Sequence, residues 1–413
     1  MNEWKEVTIG NHIDLISGFA FKSPDFLAEQ IEGSLPVIKI KNVANGDVNL
    51  KDVVFHKYNP ILEKFLLSEG DVLIAMTGNH PQAQTQVVGD VSRYKLKEKS
   101  LLNQRVGKLI VKDDTNLDFI YYLFKNEDVR FYLANQSSGS ANQANISKAD
   151  ILGLNLTIPL PNEQTAIASI LSSLDDKIDL LHRQNATLEK MAETLFRQWF
   201  VEEAKEDWKT QKLGDIAEIQ NGFAFSSKDY VESQSGHLEV LKMGHIKKGG
   251  GLRTDPKKDY VPRTERLKRW VLNKGDIVMA MTDMKDNVVI LGVPAMIDKS
   301  DNYVLNQRVA RIYIKDSTKL ISNYLLYIQL KDTEFIQILQ SKANSGVQVN
   351  LSTETIRDCD IIVPPLDIQN EKAPIIENLY FKVEYNQTQI RTLTALRDTL
   401  LPKLMSGEIK VEE

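Results

Sequence analysis

An internal repeat constrains the fold of this chain more than any other feature. Its period is about 205 residues, close to half of the 413-residue sequence. The shared blocks occur in the same order in both halves: Gly18-Phe19-Ala20-Phe21 with 222–225, a Gly-Asp pair and apolar run at 70–77 with 275–282, Leu102-Asn103-Gln104-Arg105-Val106 with 305–309, and Asn145-Ile146-Ser147 with 350–352. The sequence therefore predicts a duplicated scaffold.

The two halves diverge most between 24–65 and 228–270, where we find neither a shared hydrophobic pattern nor a shared charge. We therefore expect a variable segment to be carried by a constant scaffold. A run of basic residues is usually a solvated face, but its position in this insert favours contact with phosphate. The basic residues of the second insert and its flank are Lys242, Lys247, Lys248, Arg253, Lys257, Lys258, Arg263, Arg266, Lys268, Arg269 and Lys274.

Each half ends in a long amphipathic helix. From Ile167 to Trp199, mainly apolar residues fill the a and d positions of a heptad for almost five repeats, and Ile376 to Leu404 show a matching pattern. Antiparallel pairing of the two helices about a pseudo-twofold axis places Asn185 opposite Asn386. The predicted coiled-coil residues are Ile178, Leu181, Asn185, Leu188, Leu195, Val383, Asn386, Ile390, Leu393 and Leu400.

The rest of each half mixes short alternating segments with helical patches, which predicts the α+β class. We expect two such mixed domains in tandem, at 1–160 and 206–365, separated by helices at 161–205 and 366–413. We expect the helices to form an antiparallel coiled coil and the architecture to have pseudo-twofold, circular symmetry. The repeat also predicts that the two ends of the chain lie close together.

Several classes of function lack their usual signatures in this sequence. Cys359 is the only cysteine, so it can form no intramolecular disulfide, and no Cys/His cluster has zinc-site spacing. There is no phosphate-binding Gly-rich motif, no His-Glu-x-x-His metal helix and no apolar run of about 20 residues. We expect a cytoplasmic, non-catalytic protein without a bound metal or a membrane span. The formal charge of −5 requires any nucleic-acid binding to be local.

Over essentially its whole length, the chain resembles the specificity subunit of a type I restriction-modification system. The resemblance rests on the blocks above, on Asn162-Glu163-Gln164 at the start of the first long helix, and on residues 396–408 at the end of the second. The segment 396–408, Leu-Arg-Asp-Thr-Leu-Leu-Pro-Lys-Leu-Met-Ser-Gly-Glu, is the most specific of these motifs. The family pattern has an acid directly before Gln, and Asp367-Ile368-Gln369 departs from it. This departure leaves the start of the second helix less well defined.

The resemblance implies a non-catalytic DNA-reading subunit with target recognition domains at 1–160 and 206–365. Each domain reads one half of an asymmetric bipartite site in double-stranded DNA, while the helices at 161–205 and 366–413 act as spacers and docking surfaces. Two methyltransferase subunits would bind the chain and methylate adenine N6 with S-adenosylmethionine. Restriction subunits that use ATP and Mg would join this core. No cofactor would belong to this chain.

Base reading calls for polar side chains that can make paired hydrogen bonds in the major groove. In the first domain the predicted DNA-binding residues are Lys39, Lys41, Asn42, Asn79, His80, Gln82, Gln84, Gln86 and Gln143. In the second they are Lys242, His245, Lys247, Lys248, Arg253, Lys285, Asn287 and Gln348. Arg105 and Arg308 are interpreted as structural, with phosphate contact as the alternative.

Two other classes of function compete with this interpretation. The first is a non-catalytic protein-interaction scaffold with two divergent binding domains spaced by a coiled coil, which the acidic net charge permits. The basic insert and the family blocks argue against it. The second is an unrecognised enzyme such as a fused nuclease, which the lack of a carboxylate pair with a nearby lysine in both halves disfavours.

Overall fold

The computed structural model of the chain describes residues 4–43, 46–78, 87–136, 144–204, 208–254, 256–284, 288–315, 319–345 and 348–411. The chain divides into two compact units. Unit 1 comprises Met1–Leu180 with Gln389–Glu413, and unit 2 comprises Leu181–Thr388. Both units contain strands and helices, which confirms the predicted α+β class. Compactness divides the chain differently from the four predicted segments, because each unit includes part of both long helices.

The strands of unit 1 are β1 (Lys5–Thr8), β2 (Ile13–Ser17), β3 (Ser34–Ile38), β4 (Val54–Lys57), β5 (Leu66–Leu67), β6 (Val72–Ala75), β7 (Thr77–Gly78), β8 (Val91–Arg93), β9 (Ser100–Leu102), β10 (Val106–Val111), β11 (Ala144–Asn145) and β12 (Asn155–Ile158). Those of unit 2 are β13 (Lys209–Lys212), β14 (Ala217–Asn221), β15 (Leu238–Leu241), β16 (Tyr260–Val261), β17 (Ile277–Ala280), β18 (Thr282–Met284), β19 (Pro294–Met296), β20 (Tyr303–Leu305), β21 (Val309–Ile314), β22 (Asn344–Ser345), β23 (Gln348–Asn350) and β24 (Asp360–Val363). The α-helices are α1 (Leu117–Lys125), α2 (Glu127–Gln136), α3 (Lys148–Leu152), α4 (Pro161–Arg197), α5 (Leu213–Ile216), α6 (Asn323–Lys331), α7 (Thr333–Ser341), α8 (Thr353–Arg357) and α9 (Leu366–Met405).

Each unit is built around the same antiparallel four-stranded sheet. Its strand order is β2-β10-β6-β8 in unit 1 and β14-β21-β17-β19 in unit 2. The inner strands β6 and β17 are fully buried apolar segments, which explains why their sequences are conserved between the halves. The duplicated scaffold predicted from the repeat is confirmed at the level of strand order.

A second sheet is also shared, although its sequence is not. In unit 1 the order is β4-β3-β9-β5, and in unit 2 it is β16-β15-β20; β3 pairs with β9, and β15 with β20, in parallel. Strands β3, β4, β15 and β16 come from the divergent segments. The divergent segments thus share strands although they share no hydrophobic pattern, because a buried strand requires apolar side chains of suitable size and tolerates different ones.

The two most recognisable sequence motifs meet in space. Phe19 forms a parallel bridge with Asn103, and Phe223 forms one with Asn306. The backbone N–H of Phe19 donates to the carbonyl of Leu102 at 2.8 Å, and Phe223 makes the same bond in unit 2 at 2.8 Å. The Gly-Phe-Ala-Phe and Leu-Asn-Gln-Arg-Val blocks thus form one structural element in each unit.

The long helices α4 and α9 contain 37 and 40 residues. At 1.5 Å per residue they are about 56 and 60 Å long. In unit 2, Asn185 contacts Asn386, and Trp199 lies 4.9 Å from the ammonium of Lys372, so the two helices run antiparallel. In unit 1, the start of α4 shares an apolar core with the end of α9 through Leu171 and Leu404 among others.

The predicted asparagine pair is present in the unit 2 seam. The side-chain N–H of Asn386 donates to Oδ1 of Asn185 at 2.8 Å, and the Asn185 amide donates to the carbonyl of Val383 at 3.4 Å. Only 7% of Asn185 and 1% of Asn386 are exposed. Oδ1 of Asn386 has no hydrogen-bond partner among the residues that the structure describes, so the pair fixes the helix register at a cost in stability.

Replacing both asparagines by leucine is expected to stabilise the chain by about 1–2 kcal/mol, because two incompletely bonded amides are exchanged for apolar packing. Asn185→Leu alone should raise the free energy of unfolding by less, since it removes the acceptor of the buried Asn386 amide. Urea denaturation of the single and double variants measures both effects. Gln184→Leu, on the exposed face of α4, is the control and should leave the free energy of unfolding nearly unchanged. A double variant less stable than the wild type would contradict this account of the seam.

A buried glutamine anchors each long helix to the sheet domain. The side-chain amides of Gln164 and Gln369 donate to the carbonyl of the proline five residues earlier, at 2.9 and 2.7 Å. Their oxygens accept the backbone N–H of Asn116 and Ile321, both at 3.1 Å. The second helix thus begins in the same way as the first, despite the departure from the family pattern at Asp367.

Different chemistry attaches the sheet domains to the long helices. In unit 1, Tyr122 of α1 donates to Asp175 at 2.8 Å, and Asp175 also pairs with Arg397 at 2.7 Å. In unit 2, Tyr324 of α6 stacks on Tyr380 with ring centroids 5.3 Å apart. The Tyr324 hydroxyl also donates to Glu384 of α9 at 2.5 Å. Both attachments therefore include a tyrosine-carboxylate hydrogen bond, and the stack on Tyr380 distinguishes unit 2.

The beginning and the end of the described chain meet in unit 1, as the repeat predicts. A Cβ added to Gly407 would lie 3.2 Å from the Trp4 ring, and the Trp4 indole N–H donates to Glu163 at 3.3 Å. Within the described residues, no helix is long and apolar enough to cross a membrane.

Candidate nucleic-acid interface

In unit 1, both predicted DNA-reading loops are connected to the same two-stranded antiparallel sheet. Strand β7 pairs with β11; residues 79–86 follow β7 directly, and residues 137–143 directly precede β11. In unit 2, β18 pairs with β23, and residues 285–287 follow β18. The loops predicted to read bases therefore have the same roots in both units, which lie next to the conserved four-stranded sheets.

About half of the predicted DNA-binding residues lie outside the described residues. These are Asn79, His80, Gln82, Gln84, Gln86, Gln143, Lys285 and Asn287. Gln348 is the first residue of β23, and only its backbone is described. Their proposed contact with bases stays a prediction.

Side-chain hydrogen bonds brace the loop roots, as a polar triad in unit 1 and as a threonine-asparagine pair in unit 2. In unit 1, the hydroxyl of Thr77 donates to Oδ1 of Asn145 at 2.8 Å, and Nη1 of Arg105 donates to the same two side-chain oxygens at 3.2 and 3.0 Å. The hydroxyl of Thr282 donates to Asn350 at 2.9 Å in unit 2. Arg105 and Arg308 are both exposed, so neither is a buried ion, and the choice between a structural role and phosphate contact stays a prediction.

Asp283 organises the loop of unit 2 and was not identified from the sequence. Its side chain is buried, and Oδ2 accepts the backbone N–H groups of Val289 and Ile290, both at 2.6 Å, and of Leu291 at 3.2 Å. A carboxylate that accepts several backbone N–H bonds holds a turn in one conformation. The equivalent residue of unit 1 is Gly78, which has no side chain, so the two loops are supported differently.

A lysine at the end of β3 and of β15 lies over an aromatic ring. Nζ of Lys39 is 3.7 Å from the centroid of Phe26, and Nζ of Lys242 is 4.1 Å from that of Tyr230. Burial lowers the pKa of Lys39. Burial also opposes the charge of Lys242, but its ion pair with Asp259 at 2.7 Å outweighs this and raises the pKa.

The differing partners of these two lysines affect what each can bind. Among the described residues, Lys39 has no carboxylate partner within ion-pair distance, whereas Lys242 has Asp259. Lys39 therefore presents a positive charge on a fixed aromatic support, which suits an anionic ligand. Lys242 is partly neutralised within its own domain and is the weaker candidate for phosphate contact.

Asn42 and His245 occupy equivalent positions, and the prediction that they bind DNA is wrong for both. They are 0% and 2% exposed. Oδ1 of Asn42 accepts the N–H of Lys39 at 3.1 Å, and the two ring nitrogens of His245 bond the N–H of Lys242 at 3.2 Å and Glu239 at 3.0 Å. Because these polar atoms are buried and already bonded within the protein, neither side chain is placed to read a base. Both residues shape the turn that carries the neighbouring lysine.

The other predicted basic residues of the inserts are exposed. Nζ of Lys41 donates to the carbonyl of Asp52 at 2.5 Å, and Nε of Arg253 donates to that of Ile246 at 3.3 Å. Lys247 and Lys248 lie in an exposed turn. These four side chains keep their positive charge available at the surface and remain in the proposed DNA-binding set.

The basic stretch of unit 2 is less positive than its sequence suggests. Arg263 pairs with Asp301 at 3.2 Å, and Lys274 pairs with Glu384 at 2.7 Å. Lys268 pairs with Glu265 at 3.8 Å. Asp301 and Glu384 come from elsewhere in the chain and Glu265 from the preceding helical turn, so the run of bases alone overstates the local charge. Among the described residues, no group of three or more His, Cys, Asp or Glu side chains could hold a metal ion.

Known proteins share this architecture. The family model of the type I restriction modification DNA specificity domain matches residues 1–190 and again residues 205–395. The specificity subunit of the type I restriction enzyme MjaIX from Methanocaldococcus jannaschii is 26% identical, over 100% of this chain and 97% of the relative. The specificity subunit of the EcoKI enzyme from Escherichia coli K12 is 24% identical, over 99% of this chain and 90% of the relative.

A solved structure has the same fold. The crystal structure of the type I restriction-modification system S subunit from M. genitalium superposes with a TM-score of 0.60 at 19% sequence identity, and the match covers 98% of this chain and 96% of that one. The duplicated scaffold, the two family matches and the full-length relatives agree with each other. The chain belongs to the family of type I restriction-modification DNA specificity subunits.

Proposed function

We propose that this chain is the DNA sequence-recognition subunit of a type I restriction-modification complex. In this proposal it reads an asymmetric bipartite site with its two recognition domains and performs no catalysis itself. The observation that carries the proposal is one scaffold present twice, with loops of different sequence at equivalent positions. Family membership in both halves supports the same conclusion.

Differences between the units support the proposal of an asymmetric site. Two identical domains related by a twofold axis would favour a palindrome, whereas two different domains read two different half-sites. In unit 1, ten residues separate Gly78 from Gly89. The corresponding loop of unit 2 is shorter, and Asp283 accepts backbone N–H groups at its end. The charge of Lys242 is partly neutralised by Asp259, whereas Lys39 has no such partner among the described residues. Each unit therefore presents its own set of groups to DNA.

The long helices are the proposed docking surface for two methyltransferase subunits. On the unit 2 portion of α4 and α9, large apolar side chains are exposed: Met191 is 48% exposed, Phe381 49% and Tyr385 57%. Exposed apolar side chains of this size on a helix pair are typical of a protein-protein interface. In the complex, S-adenosylmethionine belongs to the methyltransferase, and ATP and Mg belong to the restriction subunits. We place the complex in the cytoplasm.

The test is to purify this chain with its methyltransferase subunit and to sequence the methylated bases of DNA treated with the complex and S-adenosylmethionine. We expect one bipartite motif with N6-methyladenine and a fixed gap. Alanine substitution of residues 79–86 should change or abolish one half-site and leave the other intact. Substitution of residues 285–287 should do the reverse, so each variant is the control for the other.

The outcomes separate the competing functions. A loss of both half-sites in each loop variant, with both variants folded, would contradict the assignment of one half-site to each domain. No association and no methylation would instead favour the alternative of a protein-interaction scaffold with two divergent binding domains.

A further inference from the structure

Arg105 and Arg308 have the same backbone setting in the two units. The N–H of each arginine is donated to the asparagine side chain two residues earlier, at 3.4 and 3.2 Å. The carbonyl of each accepts an N–H from the start of a loop root, that of Met76 or Met281, both at 3.0 Å. Both arginines are therefore fixed to the strands that lead into β7 and β18.

These guanidinium groups are not used as structural ion pairs. Among the described residues, no carboxylate lies within ion-pair distance of either one, in contrast to Arg311, which pairs with Asp276 at 2.9 Å. Arg105 uses only Nη1, in its bonds to Thr77 and Asn145. A guanidinium has five N–H donors in a fixed plane, so Nε and Nη2 face no acceptor of the described protein and are available to a ligand.

The identity of the two arginines indicates the class of ligand. The loops around them differ because the half-sites differ, so a side chain that is the same in both units must contact what the half-sites share. Every half-site shares the phosphodiester backbone, and arginine binds phosphate through paired hydrogen bonds. A guanine-reading role would instead require the same base at the same place in both half-sites.

We propose that Arg105 and Arg308 each bind a backbone phosphate of DNA, one in each half-site. This inference rests on the proposed function. The phosphate contact fixes the position of the domain on the duplex, and the loops then read the bases from that position.

The test measures DNA binding by the full-length chain as a function of KCl concentration, with a random-sequence duplex and with the motif found by methylation. Arg105→Gln and Arg308→Gln should each lower the slope of log affinity against log salt by about 0.9, and the double variant by about 1.8. We expect roughly tenfold weaker binding per substitution near 0.15 M salt, with unchanged base preference. Arg105→Lys and Arg308→Lys should keep the slope, since the charge remains.

Arg183→Gln is the matched control, because Arg183 is exposed on α4 and the substitution removes the same charge. Its slope should equal that of the wild type. A changed base preference in Arg105→Gln would overturn the inference in favour of base reading, and an unchanged slope and affinity in a folded variant would overturn it in favour of a structural role. A wild-type chain that binds duplex DNA without selecting a motif would contradict the proposed function, while the slope comparison would still test the phosphate contacts.

Discussion

Gly18→Ala is expected to unfold the sheet domain of unit 1, and Gly222→Ala that of unit 2. A Cβ at position 18 would lie 2.2 Å from the carbonyl oxygen of Asn103, and one at position 222 would lie 2.2 Å from that of Asn306. The obstructing atoms are backbone, which cannot move aside as a flexible side chain can. The overlap would break the bridge between the two repeated motifs, at a cost of about 3 kcal/mol or more.

Chemical denaturation and limited proteolysis of the two variants would test this expectation. Each variant should lose the protection of one unit and keep that of the other. Gly244→Ala is the control, since a Cβ there has no heavy atom within 4 Å and the backbone is not in a left-handed conformation. Wild-type stability in Gly18→Ala would mean that the two motifs do not approach each other as described.

Arg397→Met is expected to destabilise unit 1 by about 3 kcal/mol, because it leaves the buried Asp175 carboxylate without its closest cation. Asp175 keeps Lys125 at 3.7 Å and the Tyr122 hydroxyl, which compensate only in part. The control is Asp398→Asn, which removes the other carboxylate bound to Arg397. Asp398 is 58% exposed at its side chain, so its loss should cost less than about 1 kcal/mol.

The same variant should change the dependence of stability on pH. Burial raises the pKa of Asp175, but Lys125, Arg397 and Tyr122 outweigh it and hold the pKa below its ordinary value of 3.8. A lowered carboxyl pKa contributes stability above the unfolded pKa, and this contribution is lost as the pH falls through the folded pKa.

Without Arg397, the folded pKa of Asp175 should rise, so stability should begin to fall at a higher pH than in the wild type. Denaturation midpoints between about pH 7 and pH 3 would measure this shift. Parallel curves for the two proteins would show that Arg397 does not interact with the ionised carboxylate.

The long-range features of the fold were predictable because they repeat. The heptad pattern is a property of side-chain spacing, so it identified the seam of α4 and α9 and the pairing of Asn185 with Asn386. The same argument placed both ends of the chain together. The repeated motifs predicted a common scaffold, although the sequence did not indicate that Gly18 and Asn103 touch.

The candidate site was less predictable, because burial decides what a polar side chain can do. Asn42 and His245 look like base readers in the sequence, yet the turn after β3 or β15 uses them internally. Asp283 carried no recognisable signal, since its partners are backbone groups several residues away. The second sheet was not predicted, because its short buried strands require side chains of suitable size and polarity but not the same amino acids in both halves.

The contrasting attachments of α1 and α6 have a consequence for how the chain reaches its native state. Proteins with two similar halves are prone to misassembly, in which one half docks where the other belongs. If α6 docked at the site of α1, Ile328 would replace Tyr122 beside Asp175 and leave the carboxylate without that hydroxyl. If α1 docked at the site of α6, the ring of Tyr324, which stacks on Tyr380, would be lost from the contact. Each wrong pairing is thus penalised chemically, which directs each sheet domain of a newly made chain to its own site on the long helices.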